Sequence, residues 1–256
     1  MGQQTAALLP DDTGGKEIYM RINVHAGHNP AGKVACGAVG LINESTENRR
    51  VKDEVISQLR QLGHTVYDCT VDNGTGQKDV LQKIVQKCRL HEVDLDVSIH
   101  FNFGANDESG NGKATGVEVL VYSASSKAKG YAEKICAAIA RLGFRNRGVK
   151  VNSSLYVLKN TKAPAMLVEC CFVDDKDDVK LYNYCEMASA IVYGITGEKA
   201  SATSETAKAD AGEETTTGNP KALYRVQVGA YSAKYNAEAQ AEKLRKAGFD
   251  AAIVQA

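Results

Sequence analysis

Between residues 18 and 197 the chain alternates short, β-branched apolar runs with stretches whose apolar positions recur every three or four residues. That alternation restricts the fold more than any other property, because strands separated by helices pack as a mostly parallel sheet with helices against it. Residues 18–24 form one such run, broken by Gly27, Pro30 and Gly32 as a strand entering a loop would be. Over residues 47–62 the apolar positions Val51, Val55, Ile56, Leu59 and Leu62 mark an amphipathic helix stopped by Gly63. Residues 65–67, 93–103, 117–122, 155–158 and 165–173 read as further strands, and 80–90, 128–142 and 180–195 as further helices. The expected fold class is α/β, a twisted and mostly parallel sheet with helices on both faces.

Composition narrows the function classes. Lys+Arg and Asp+Glu both number 31, so the formal net charge is zero and no nucleic-acid footprint or attraction to anionic membranes is indicated. The apolar stretches fall far short of the ~20 residues of a membrane span, so no membrane insertion is expected. Seven cysteines include no CxxC pair, which argues against a thiolate metal site and for reduced core thiols of a protein made in a reducing compartment. Residues 1–17 read as a polar leader without the basic and apolar segments of a secretory signal.

Residues 198–221 hold only small and polar side chains, the composition of a flexible linker. Order is expected to return over 222–256, where a strand (223–229), a helix (236–246) and a strand (251–254) make one small βαβ unit, too little to bury a stable core alone.

Three apolar runs carry chemistry-bearing residues where strands of a parallel sheet would deliver them to one crevice. The first leads to His25 and His28, the second ends at His100, and the third contains Glu169. Residue type alone leaves each open: a loop histidine is commonly solvated, and His100 could be a satisfied core residue. Glu169 lies inside Met166-Leu167-Val168-Glu169-Cys170-Cys171-Phe172, so it must be paired or strongly shifted, as an internal ion pair or as a base in a cleft. Glu44 and Glu47 flank the start of the first helix, where capping is the ordinary role of a carboxylate.

Four segments together resemble the zinc-dependent N-acetylmuramoyl-L-alanine amidases of the amidase type 3 family, found in phage endolysins and bacterial autolysins. They are Val24-His25-Ala26-Gly27-His28, Gly40-Leu41-Ile42-Asn43-Glu44-Ser45-Thr46-Glu47-Asn48, Ser98-Ile99-His100-Phe101-Asn102, and Asn160-Thr161-Lys162-Ala163-Pro164-Ala165-Met166-Leu167-Val168-Glu169, the last preceded by Arg147-Gly148-Val149-Lys150. The resemblance runs from about residue 20 to 197 with the motifs in family order. It implies zinc ligands His28, Glu44 and His100, with Glu44 on a loop before the first helix, and a catalytic glutamate at Glu169. His28 is selected over His25 because it follows the glycine, and Glu44 over Glu47 because Asn48 stands four residues on. His25 replaces the usual aspartate, Asn29-Pro30 the usual glycines, and Cys170-Cys171 the more frequent small residues.

The implied partner is peptidoglycan, cut at the amide between N-acetylmuramic acid and L-alanine, with action on the cell wall after release from the cytoplasm. A zinc peptidase acting on the stem peptide and an inactive wall-binding protein are the rival expectations. Tyr224-Arg225-Val226-Gln227-Val228-Gly229-Ala230-Tyr231, with Ala247-Gly248-Phe249 further on, resembles the first half of a SPOR domain, which implies peptidoglycan binding by the C-terminal unit.

Overall fold

A computed structural model describes residues 19–199 together with Ala241, Arg245, Ala252 and Ile253. The leader over 1–17, nearly all of the linker over 198–221 and nearly all of the βαβ unit over 222–256 lie outside the described residues. Contacts divide the chain into Met1–Glu205 and Thr206–Ala256, and the fold below is that of the first unit.

Six strands form one sheet: β1 (Arg21–Ala26), β2 (Thr65–Asp68), β3 (Leu95–Asn102), β4 (Val117–Val121), β5 (Asn146–Val151) and β6 (Ala165–Phe172). Their order across the sheet is β2-β1-β3-β6-β4-β5. All neighbours are parallel except β4 and β6. The sheet is therefore mostly parallel, and the three chemistry-bearing runs are the adjacent strands β1, β3 and β6.

Alternation along each strand sorts residues between two cores. Ile22 and Val24 of β1, Val97, Ile99 and Phe101 of β3, Val117, Val119 and Val121 of β4, and Met166 and Val168 of β6 point to one face. There they meet α1 (Glu44–Gln61), α3 (Lys129–Ala140) and α6 (Tyr184–Thr196). Each aliphatic side chain fully buried in this layer contributes about 1.5–3 kcal/mol. The opposite face carries a smaller cluster, in which Val80, Ile84 and Val85 of α2 (Gln77–Cys88) and Val157 and Leu158 of α4 (Tyr156–Asn160) pack with Ala165 and Leu167 at the beginning of β6. Helices thus lie on both faces, as expected. On the second face they cover the amino-terminal half of the strands, and His100 and Glu169 stand further along.

Four local expectations need correction. Residues 155–158 are not a strand: Tyr156–Asn160 is helical, because Tyr156, Val157 and Leu158 are packed against α2 rather than paired in a ladder. The segment 180–195 is not one helix: α5 (Lys176–Leu181) ends at Tyr182, and Asn183 restarts the chain as the N-cap of α6 by accepting from the Cys185 and Glu186 N–H groups. Asn146–Val151 is an edge strand that its polar, glycine-containing sequence concealed. Five cysteines are buried, but Cys36 is half-buried and Cys185 exposed, since Cys185 lies in the first turn of α6 on its outer side.

Candidate active site

Glu44 is the first residue of α1 and does not precede it. Asn43 is the N-cap, its side-chain oxygen accepting from the Thr46 N–H at 3.2 Å, and this starts the helix one turn earlier than its apolar periodicity does. The helix packs on the first core, so its first turn brings Glu44 over the carboxyl edge of the sheet, beside the end of β3. There Oε1 lies 2.9 Å from His100 Nδ1 and accepts from the Phe101 N–H at 3.2 Å, while Oε2 accepts from the Ala38 N–H at 2.8 Å. His28 Nε2 stands 3.4 Å from the same Oε1. The two imidazoles meet edge to face, with centroids 5.0 Å apart.

His28 is delivered by a strained turn. Its φ is 62°, in the left-handed region that non-glycine residues seldom adopt. Surrounding hydrogen bonds hold it there. Asn48 donates to the Gly27 carbonyl at 3.0 Å, and Arg49 donates to the His28 carbonyl at 2.9 Å. Asn29 is buried and ties the turn to the Val34 and Gly74 carbonyls and the Gly74 N–H, which gives the Asn29-Pro30 departure a structural role. Gly27 is required for a reason other than bending: a Cβ there would stand 1.9 Å from His100 Cε1. At Gly37, a residue without an expected role, a Cβ would stand 2.2 Å from Glu44 Oε2.

The sheet register sets the remaining residues. His100 of β3 is the register partner of Glu169 of β6, and Glu169 is the partner of Glu118 of β4. Register partners share a face, so the three form one row across the sheet. Beyond Glu169 the β3–β6 register slips by one residue, from His100↔Glu169 to Asn102↔Phe172. The extra residue on β6 falls at Cys170-Cys171, both turned to the first core, and it returns Phe172 to the face that bears Glu169. Glu118 accepts from Asn102 Nδ2 at 3.0 Å and from Arg147 Nε at 2.8 Å.

Burial opposes the charge on Glu44, but hydrogen bonds from His100 and His28 outweigh it and hold the carboxyl well below the usual range. Glu169 is the reverse case. Its Oε2 is buried with no hydrogen-bond partner, and burial, with the charges of Glu44 and Glu118 added, pushes the carboxyl up to about 8.

The structure brings His28, Glu44, His100 and Glu169 together and separates them from the competing residues. His25 is buried beneath the site, 3.4 Å from Ser98 Oγ, with burial and the nearby His100 pushing it down to about 3. Glu47 is engaged by Arg50 at 3.0 Å and by the Tyr182 hydroxyl at 2.9 Å. Glu118 was not foreseen, since a glutamate alternating with valines reads as the wet face of a strand; the signal available was that its strand belongs to a sheet covered on both sides.

One donor atom from each of His28, Glu44 and His100 lies within 4.8 Å of the other two. Two imidazole nitrogens and one carboxylate oxygen are the donor set of an open catalytic zinc site, and the space left by Gly27 and Gly37 keeps the donors converged. The residues therefore fit a metal ion. In a second acidic group, Asp175 caps α5, Asp177 accepts from the Asn111, Gly112 and Lys113 N–H groups, and Asp107 accepts from the Gly110 N–H through Oδ1 while its Oδ2 is buried without a hydrogen-bond partner.

Residues 22–197 match the family described as N-acetylmuramoyl-L-alanine amidase, type 3. The chain belongs to that family. Members of the type 3 amidases are generally zinc-dependent. A SPOR domain matches residues 193–255, a wider span than the 222–256 read from the sequence. Among curated relatives, an uncharacterised protein of Clostridium perfringens is 39% identical over 167 residues, covering 64% of this chain and 47% of that protein. The N-acetylmuramoyl-L-alanine amidase LytC of Bacillus subtilis is 41% identical over 100 residues, 38% of this chain and 19% of its own. The chain spans about half the length of the first curated relatives it matches. Among solved structures, the catalytic domain of the CD27L endolysin, which targets Clostridia Difficile, superposes with a TM-score of 0.62 at 27% identity, covering 71% of this type 3 amidase and 99% of that domain.

Proposed function

We propose that this type 3 amidase is a zinc-dependent hydrolase of peptidoglycan that cuts the amide between N-acetylmuramic acid and L-alanine. The observation that carries the reading is the convergence of His28, Glu44 and His100 beside a buried carboxylate, Glu169, that has an unpartnered oxygen. Family membership supports it.

His28, Glu44 and His100 would hold the zinc. When bound, zinc supplies a Lewis acid that acidifies a water and polarises a carbonyl oxygen. Glu44, kept ionised by its two histidine neighbours, offsets part of the cation's charge, and the half-buried His100, its imidazole pushed down by desolvation, enters the site neutral, as a ligand must. Glu169 is one strand away, facing the same side. Its unpartnered oxygen takes a proton from the water attacking the amide carbonyl and returns it to the leaving alanine nitrogen. Glu118, neutralised by Arg147, holds the far side of the row, and the bulge at Cys170-Cys171 places Phe172 as the apolar floor beside it. The segment matching the SPOR domain would hold the enzyme on the wall; among the described residues, no helix is long and apolar enough to cross a membrane.

The test is hydrolysis of purified cell walls by zinc-loaded protein, chelated protein and Glu169→Gln. Release of peptides whose new amino terminus is L-alanine by the first alone is expected. Cleavage within the stem peptide would replace the reading by a peptidase, and equal activity in all three would end the mechanism.

A further inference from the structure

Beside the row that holds Glu169, Arg147 uses only part of its hydrogen-bonding capacity. Its Nε donates to Glu118 Oε2 at 2.8 Å and its guanidinium carbon lies 4.9 Å from the centre of the Phe172 ring. Neither terminal nitrogen makes a hydrogen bond among the described residues, and the side chain is 30% exposed while Glu118 is 13% exposed. An arginine anchored through Nε and laid on an aromatic ring is held in plane with its outer fork open. That is the geometry that receives a planar two-oxygen group. The fork matches a carboxylate better than a lone carbonyl, which would leave one nitrogen unfilled.

The position selects which carboxylate. Arg147 is on β5, two strands from Glu169 through β4, a span of about 10 Å at ~4.8 Å per strand, and its side chain reaches back toward Glu118. An extended peptide advances ~3.3 Å per residue, so a scissile amide at Glu169 puts the side chain or terminal carboxyl of the next residue within reach of the fork.

We infer that Arg147 binds a carboxylate on the residue that follows the alanine, making the enzyme selective for an acidic peptide at that position. The inference rests on the amidase reading above. Arg147 is a substrate-binding residue in it, with no part in proton transfer.

Two substrates test it: N-acetylmuramoyl-L-alanyl-D-glutamate and the same compound with both glutamate carboxyls converted to carboxamides. The wild type should favour the acid by about tenfold to a hundredfold in kcat/KM, mostly through KM. Arg147→Gln should bring the ratio of kcat/KM on the acid to that on the diamide down to near one, with Arg147→Lys between it and the wild type. An equal loss on both substrates, or a wild-type preference near one, overturns the inference. Calorimetric binding of the two compounds to zinc-loaded Glu169→Gln, with and without Arg147→Gln, separates this from the amidase reading. If the wild type cuts neither compound the amidase reading fails, while the preference in binding still decides the role of Arg147. Circular dichroism verifies folding, and if Arg147→Gln does not fold, Arg147→Lys decides the question: retention of the full preference overturns the inference.

Discussion

His100 and Glu169 are register partners on adjacent parallel strands, so a proposed metal ligand and the proposed base are held by the same ladder of backbone hydrogen bonds. Neither can move without disturbing the centre of the sheet. Glu44, by contrast, arrives from a helix terminus, and its position depends on the fit of α1 against the first core.

Zinc content follows directly from that arrangement. Wild-type protein should carry about one zinc per chain, and His28→Ala, Glu44→Ala and His100→Ala should each lose most of it. Metal analysis after dialysis against a weak chelator checks this. Full retention in His28→Ala, together with loss in His25→Ala, would reassign the first ligand.

Gly27→Ala should act on the metal site without touching a ligand. Its Cβ would meet His100 at 1.9 Å, so the ring must leave its place, with a loss of about ten- to a hundredfold or more in zinc affinity. Gly130→Ala is the control. It lies in α3 with open space around it and should stabilise the protein by about 0.5–1 kcal/mol. Measured zinc affinity equal in both variants would contradict the account of Gly27.

Glu169 gives a pH dependence with a definite sign. Its carboxyl in the folded, metal-free protein is raised to about 8, above its ordinary value of about 4.3. Its contribution to stability is therefore fully present below about 4.3 and lost as pH rises through about 8. Glu169→Gln cannot ionise and escapes the loss. Chelated Glu169→Gln should match chelated wild type below about pH 4 and exceed it near pH 9 by a few kcal/mol, since each tenfold change in proton affinity is worth about 1.4 kcal/mol. Urea unfolding across that range measures the difference, and a gap that does not change with pH would count against a buried, unpartnered carboxyl.

Asp178 tests the scaffold around the site. It is fully buried and accepts from the Phe172 N–H at 2.9 Å and the Gly116 N–H at 3.0 Å, joining the end of β6 to the beginning of β4. Asp178→Ala leaves those donors unsatisfied and should cost about 2–5 kcal/mol. A loss below about 1 kcal/mol in thermal or urea unfolding would show that water replaces the carboxylate freely.

The alternating pattern made the sheet and its helices legible, because strands buried on both sides are written as apolar runs and helices against them carry an apolar stripe. The elements misjudged were those that tertiary contacts define. Residues 155–158 are too short to choose a helix by their own propensity and do so by packing on α2, and the edge strand Asn146–Val151 lacks an apolar face to announce it. Of the site, His28, His100 and Glu169 are visible at or near strand ends. Glu44 is hidden by its place as a helix-starting carboxylate, and only the resemblance singled it out. Glu118 and the bulge at Cys170-Cys171 depend on register, which one strand's sequence does not contain.

The bond that is cut is the central claim, and mass spectrometry of the products addresses it most directly. Zinc-loaded wild type acting on purified peptidoglycan should release intact stem peptides beginning with L-alanine and leave glycan bearing free lactyl carboxylates, with Glu169→Gln slower by about 10²–10⁴-fold. Stem peptides shortened internally and still attached to glycan through L-alanine would contradict it.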